Sequence, residues 1–281
     1  MSNEMTTGRN SDCTVLVASC DKYADLLGPF STLWRRFWPD CPFETVLVTE
    51  TVPSENLAFD RVIACGKGRN WCARLVDSLK QIETRYVLLL CDDYYLAAAV
   101  DTTLVLKRLE QANRFDAVNL RLIPNPVTKI PYREGLREYR KNTAYCIATQ
   151  AGFWNREFLL GLARDKASIW EFERQGSFDL AGEARPILGT PTKEFPFVDA
   201  VHKGYWEPFG VQVLKKNGID YDFSCRGLPP LRVRLREGVK SLVFKVFPWT
   251  LIVRVQNLLD VGMKERANSG SPGTRQSRDT A

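Results

Sequence analysis

The stretch YVLLLCDDYYL, residues 86–96, decides how this chain is read. Its first half is an unbroken apolar run too short for a buried helix, which marks a strand covered on both faces. Such strands belong to the middle of a mostly parallel sheet flanked by helices, and those sheets bind ligands beyond the carboxyl ends of their strands. Asp92 and Asp93 come directly after the run, so the strand delivers them to that edge. Two adjacent carboxylates repel unless a cation lies near. Mg²⁺ and Mn²⁺ favour such oxygen ligands and keep positions open for phosphates. A turn or helix cap built from two aspartates is the plainer alternative.

Working outward, CTVLVASC (13–20), FETVLVTE (43–50) and FDRVIAC (59–65) read as further strands. Between them, residues 24–38 carry helical spacing that Gly28-Pro29 must break or start. NWCARLVDSLKQI (70–82) places Trp71, Leu75, Leu79 and Ile82 on one helical face. Residues 101–115 form a helix capped by Asp101 or Thr102, and 116–124 another strand. Residues 125–142 dissolve into a basic loop with Pro and Tyr; its part between Thr128 and Lys141, with Tyr132 and Tyr139, is expected to cover the acceptor or close over the donor. A strand over 144–154 and a helix from Asn155 follow, then IWEFERQGS, then irregular chain until VHKGYW at 201–206. The fold class is α/β: a mixed, mostly parallel sheet flanked by helices.

The chain has 281 residues, enough for one large domain or two small ones, with 44% hydrophobic and 26% charged residues. A net charge of +6 favours anionic partners. Eight scattered cysteines, with no CxxC, argue against zinc and against a secreted disulfide scaffold, and favour a reduced, cytoplasmic setting. Residues 1–12 are a polar leader without an apolar signal core, and the catalytic domain is expected over 13–230. No run reaches the roughly 18 apolar residues of a spanning helix. Over 231–266, eight basic residues against three acids are interleaved with Leu, Val, Phe and Trp. That pattern fits amphipathic helices, either packed on the domain or lying peripherally on an anionic membrane. Residues 267–281 read as a disordered tail.

GKGRNW (66–71) sets two glycines, Lys67 and Arg69 before a helix N-terminus, which suits an anion, though it lacks both the third glycine of GxGxxG and a P-loop ending. In IWEFE, Glu171 and Glu173 stand among Trp170 and Phe172. A carboxylate among aromatics tends to hold its proton more tightly, which suits proton transfer. Acids opening a surface helix are the duller account of both, and nearby Asp179 is a weaker candidate.

Together VLVASCDKY (15–23), residues 66–96, TQAGFWNREFLLGL (149–162) and IWEFE (169–173) resemble a GT-A-fold glycosyltransferase of the bacterial surface-polysaccharide type, over residues 15–206. The resemblance implies transfer of a sugar from a nucleotide-sugar donor to a glycan or lipid-linked acceptor, with Mn²⁺ or Mg²⁺ as cofactor. It assigns Ser19, Asp21, Tyr23, Asn70, Trp71, Arg74 and Asp92 to the donor, and Asp93 and the lone histidine, His202, to the metal. Lys203 is a further cation for the diphosphate, and Glu171 or Glu173 the base. The family's usual Asp-x-Asp is here an adjacent pair after Cys91, which leaves metal dependence open. A nucleotidyltransferase is the rival enzyme; it calls for a glycine-rich loop after the first strand. No nucleic-acid module is recognisable, so the basic tail as a nucleic-acid binder, or the whole chain as a scaffold, ranks lower.

Overall fold

A computed structural model describes residues 10–54, 57–180 and 182–227. The expected leader falls largely, and the expected helices over 231–266 and tail over 267–281 entirely, outside the described residues. The chain divides into Met1–Leu228 and Pro229–Ala281, and the described residues all belong to the first unit.

Four strands, β1 (Cys13–Ala18), β2 (Glu44–Thr49), β3 (Arg61–Ala64) and β4 (Tyr86–Cys91), pair in parallel in the order β3-β2-β1-β4. The chain runs outward from β1 to β3 and then returns to the other side of β1. The order of strands therefore reverses between β1 and β4, the place where open α/β sheets make a ligand crevice. Period-two alternation splits these strands between two cores. Val15, Val17, Leu88 and Leu90 face one; Leu16, Ala18, Val87 and Leu89 face the other. Helices α1 (Leu27–Phe37) and α3 (Thr102–Arg114) cover the first core, and α2 (Trp71–Leu79) helps cover the second. Each fully buried Leu contributes about 1.5–3 kcal/mol over leaving it exposed, so a strand apolar on both faces is stable only between two such layers. Gly28 and Pro29 lie in the first turn of α1, so they start the helix rather than break it.

Beyond β4 come β5 (Tyr94–Leu96), β6 (Asn119–Arg121), β7 (Ile130–Pro131), β8 (Arg137–Glu138), β9 (Gly152–Asn155) and β10 (Ile187–Gly189). The main sheet continues β4-β9-β6-β10-β8-β7, with β9 antiparallel to both neighbours. This mixed, mostly parallel sheet is the expected class. The strand expected over 144–154 is confined to β9. A Cβ on Gly152 would lie 2.7 Å from the Leu120 carbonyl oxygen and 2.9 Å from Arg121 Cα, so β9 begins where glycine lets two backbones meet.

The expected open loop over 125–142 is corrected. Residues 130–138 form the antiparallel β7–β8 pair on the sheet edge, and β8 pairs with β10. Arg121, fully buried, donates to the carbonyls of Asn125 (3.1 Å) and Cys146 and lies over the Tyr139 ring at 4.1 Å. That packing folds the segment onto the sheet instead of leaving it over a site. Helices α4 (Arg156–Ala163) and α5 (Ile169–Gly176) complete the second layer. The chain expected to be irregular before residue 201 contains β10 and β11 (Phe197–Asp199); β12 (Val201–His202), β13 (Tyr205–Trp206) and α6 (Pro208–Lys216) follow. Among the described residues no helix is long and apolar enough to cross a membrane.

Candidate functional site

At the β1/β4 reversal the two strands end side by side. The Asp92 amide still donates to the Ala18 carbonyl (3.3 Å), extending the ladder one residue past β4. Across that step Ser19 Oγ donates to Asp92 Oδ2 at 2.6 Å, both side chains buried. Asp93 follows in the turn before β5, whose antiparallel partner is β11 with Tyr94 opposite Asp199. The Ala200 amide donates to the Asp93 carbonyl (2.8 Å), and the Tyr94 and Phe197 rings stack at 4.2 Å. This small two-stranded sheet carries Asp199 to Asp93 across a hundred residues of chain.

Ala18, Ser19, Asp92, Asp93, Tyr94 and Asp199 line one cavity of about 660 Å³, within the range of small-molecule ligand pockets. Tyr23 lines it from the chain after β1, Trp71 and Arg74 from α2, Thr149 from the chain before β9, and Trp170 and Glu173 from α5. The β12–β13 hairpin adds His202 and Lys203 to the lining. Its two-residue loop, Lys203-Gly204, has positive φ at both positions (52° and 83°), the tight turn that suits a hairpin's twist.

The charges are not in balance. Burial pushes the Asp92 carboxyl up to about 7, against the Ser19 hydrogen bond and the positive charge of Arg226. Asp93 is raised well above the usual carboxylate range by burial, then by Asp92 and Asp199. Asp199 stands open to solvent at the mouth, yet enough protein surrounds it to raise its carboxyl, with Lys193 and His202 opposing. Three carboxyls that resist ionising leave this edge short of positive charge. Among the described residues no group of three His, Cys, Asp or Glu side chains closes on a point that would hold a metal by itself. Mg²⁺ needs only one or two carboxylates when substrate phosphates complete its shell, so the residues fit a cation bound together with a diphosphate.

Arg226 is part of this electrostatic setting. It donates through Nε to Asp25 Oδ2 (2.7 Å) and through Nη2 to the Lys22 carbonyl (3.1 Å), and it lies over the Tyr23 ring at 4.4 Å. A short 3-10 helix, Asp21–Leu26, thus carries Tyr23 into the cavity and is held from outside by Arg226.

No family model matches the chain, and no curated protein sequence does. Among solved structures the chain is similar to the mannosyltransferase PcManGT from Pyrobaculum calidifontis, solved in complex with GDP-Man and Mn²⁺. That match has 14% identity, covers 77% of this chain and 66% of that one, and has a TM-score of 0.48. It is also similar to S. aureus TarS 1–349, at 12% identity over 63% of this chain and 60% of that one, TM-score 0.40. A cytidylyltransferase from Leptospira borgpetersenii serovar Hardjo-bovis (strain JB197) matches at 12% identity over 74% and 96%, TM-score 0.40. The chain thus spans about three fifths of the length of the TarS fragment.

Of the residues singled out from sequence, Ser19, Tyr23, Trp71, Arg74, Asp92, Asp93, Glu173 and His202 line the cavity together. Asp21, Asn70 and Glu171 do not. Asp21 accepts from the Thr51 amide and hydroxyl, both at 3.0 Å. Asn70 caps α2 through the Ala73 amide (2.9 Å). Ser168 and Glu171 both serve the start of α5: Ser168 Oγ accepts from the Glu171 amide (3.1 Å), and Glu171 Oε2 accepts from the Ala167 amide (2.7 Å). Gly66 and Gly68 both adopt positive φ in an exposed turn; Arg69 there pairs with Asp77, and Asp179 pairs with Lys166. Glu173 is different: its Oε1 accepts from the Thr149 amide (2.8 Å) and hydroxyl (2.7 Å), which fixes the carboxylate at the cavity wall.

Sequence reasoning missed Asp199, Thr149, Gln150 and Arg226. Asp199 and Arg226 reach the site by long-range pairing that leaves no local pattern; Thr149 and Gln150 precede the glycine that opens β9, a break that signals a turn into a strand.

Proposed function

We propose that this chain is a glycosyltransferase that takes a nucleotide-sugar donor and passes its sugar to an acceptor hydroxyl. The observation that carries this reading is the gathering of Asp92, Asp93 and Asp199, the cation Arg74, the aromatics Tyr23 and Trp71, and the tethered carboxylate Glu173 in one cavity at the strand reversal. A nucleoside diphosphate needs an aromatic surface for its base and positive charge for its phosphates; sugar transfer adds one base. Tyr23 and Trp71 would receive the nucleoside. Arg74, on α2 with its Nη1 3.8 Å from Glu50 Oε1, would meet the phosphates.

Asp93, with Asp92 or Asp199, would hold Mg²⁺ or Mn²⁺, which when bound supplies positive charge beside the leaving diphosphate. Ser19 fixes the Asp92 carboxylate so that its second oxygen keeps one direction. The Thr149 pair does the same for Glu173, which takes the proton of the acceptor hydroxyl. His202 and Lys203 close over the reacting groups from the hairpin.

Nucleotidyl transfer is disfavoured by the chain after β1, which enters the 3-10 helix with no glycine before Gly28 and so builds no phosphate loop there. The surface-polysaccharide acceptor, the cytoplasmic setting and peripheral membrane contact through 231–266 belong to the same proposal.

The test is calorimetry of UDP, GDP, CDP and TDP binding with and without Mn²⁺, on wild type and Asp93→Asn. Cation-dependent binding that the variant loses supports the reading. A folded wild type that binds no nucleoside diphosphate sinks it.

A further inference from the structure

Trp170 is 60% exposed, whereas Trp34, Trp38, Trp154 and Trp206 are each at most 5% exposed. An indole left in solvent on the lining of a cleft offers a large, rigid apolar face to whatever enters it. Its orientation is imposed by α5. Phe172 is fully buried and packs on Trp71 (centroids 5.6 Å) and Trp154 (5.9 Å), which fixes the rotation of the helix. With Phe172 inward, Ile169, Trp170 and Glu173 share the face that lines the cavity. Trp170 and Glu173 are thus one helical turn apart, and Gln150 lines the same cavity.

Resting on the glycosyl-transfer reading, we propose that Trp170 is the platform on which the acceptor's pyranose ring stacks, presenting its hydroxyl to Glu173. A sugar ring offers an apolar C–H face and a polar rim. An exposed indole answers the first, and Gln150 with the Glu173 carboxylate the second. Oε1 of Glu173 is occupied by Thr149, and Oε2 makes no hydrogen bond among the described residues. In the step itself the acceptor oxygen bonds to the anomeric carbon, whose bond to the phosphate oxygen breaks. The electron pair leaves with the diphosphate, and the hydroxyl proton passes to Oε2 of Glu173. The competing use of an indole here is stacking on the nucleotide base, and the test separates the two.

The probes are methyl and p-nitrophenyl glycosides of glucose, galactose, mannose and N-acetylglucosamine, offered with the nucleotide sugar whose nucleoside diphosphate the protein binds. Trp170→Ala should raise the acceptor KM roughly tenfold, and Trp170→Phe should restore most of it. Donor KM, nucleoside diphosphate affinity and hydrolysis of donor by water should stay at wild-type values. The glycoside should also shield wild-type tryptophan emission from acrylamide, an effect absent in Trp170→Ala. An unchanged acceptor KM, or a loss of nucleotide affinity in Trp170→Ala, overturns the assignment. So does a wild type that binds nucleotide but neither transfers to, nor has its emission altered by, any of the glycosides. A wild type that binds no nucleoside diphosphate removes the glycosyl-transfer reading itself, and this inference with it.

Discussion

The floor and the α5 wall of the cavity are built on opposite terms. The floor, Ser19 with Asp92 and Asp93, is the end of two central strands. Its position follows from the pairing of β1 with β4, and its carboxylates are held where burial opposes their charge. The wall, Trp170 and Glu173, is a single turn of an eight-residue helix, fixed by the inward packing of Phe172 on Trp71 and Trp154 and by the tether of Glu173 to Thr149. Topology sets the floor and helical spacing sets the wall. A substitution in the floor should therefore alter the empty protein as well as its chemistry, whereas one in the wall should alter chemistry alone.

The sharpest test is Asp93→Asn. Transfer should fall on the order of 10³-fold, through lost charge at the diphosphate. The same change removes a carboxylate that burial and two like charges disfavour, so the metal-free protein should become more stable. A gain of about 1 kcal/mol would raise Tm by roughly 2–4 °C. The sign for the neighbouring Asp92 follows from its pKa near 7, raised above an unfolded value of 3.8. Its contribution to stability is fully present below the unfolded value and is lost as pH rises to about 7. Thermal melts of wild type and Asp92→Asn from pH 4 to 8 should diverge over that window, with the variant the flatter. Melts in which both variants are less stable than wild type at neutral pH would break the comparison.

On the wall, Glu173→Gln should cost about 10²-fold or more in transfer, with melting and nucleoside diphosphate affinity unchanged, because the amide oxygen still accepts from Thr149. Glu171→Gln, two residues away, should leave turnover within a few fold, because that carboxylate is occupied in the helix cap. Assayed side by side, the pair sharpens the contrast between a residue that faces the cavity and one that ends a helix. Equal losses in both would remove Glu173 from its role.

How much of the fold and site was legible in the sequence divides along similar lines. β1, β2 and β4 stood out as six-residue apolar, largely β-branched or leucine-rich runs, α2 by its helical spacing of apolar residues, and α3 because Asp101 caps it as expected. β10, β11, β12 and β13 have two or three residues each, too few to show any period. Asp92 and Asp93 were legible because a strand points at them. Asp199 was not, because its place beside Asp93 exists only once β11 pairs with β5. Asn70 and Glu171 lie off the cavity because polar side chains at helix starts serve caps and ligands equally well, and only the hydrogen bonds distinguish the two; Asp21 is instead taken up by Thr51.

Gly152→Ala tests whether the floor depends on the sheet beyond it. The new Cβ would meet the backbone of Leu120 and Arg121, neither of which can move without breaking the pairing of β9 and β6. A loss of about 1–3 kcal/mol is expected in denaturant melts. Since β9 also pairs with β4, nucleotide binding should weaken in step with stability, unlike in any wall variant.

The smallest effect concerns the tie that holds Tyr23 at the cavity from outside. Burial raises the Asp25 carboxyl, but hydrogen bonds from Arg226 and Tyr221 outweigh it and leave the group below its ordinary 3.8. A depressed carboxyl stabilises the fold at pH above its unfolded value and gives that stability up as pH falls through the folded one. Asp25→Asn should therefore remove a contribution of about 0.2–1 kcal/mol at neutral pH, the scale of a partly exposed ion pair. The difference from wild type should begin to shrink as pH falls below 3.8 and should close only once pH has passed the lower folded value, where Asp25 takes up its proton. Because Arg226 also lies over the Tyr23 ring, the same variant should weaken nucleoside diphosphate binding severalfold while leaving acceptor KM alone. A variant that changed acceptor KM instead would mean that the outer tie serves the α5 wall and not the floor, and the division of the cavity into floor and wall would fail at that point.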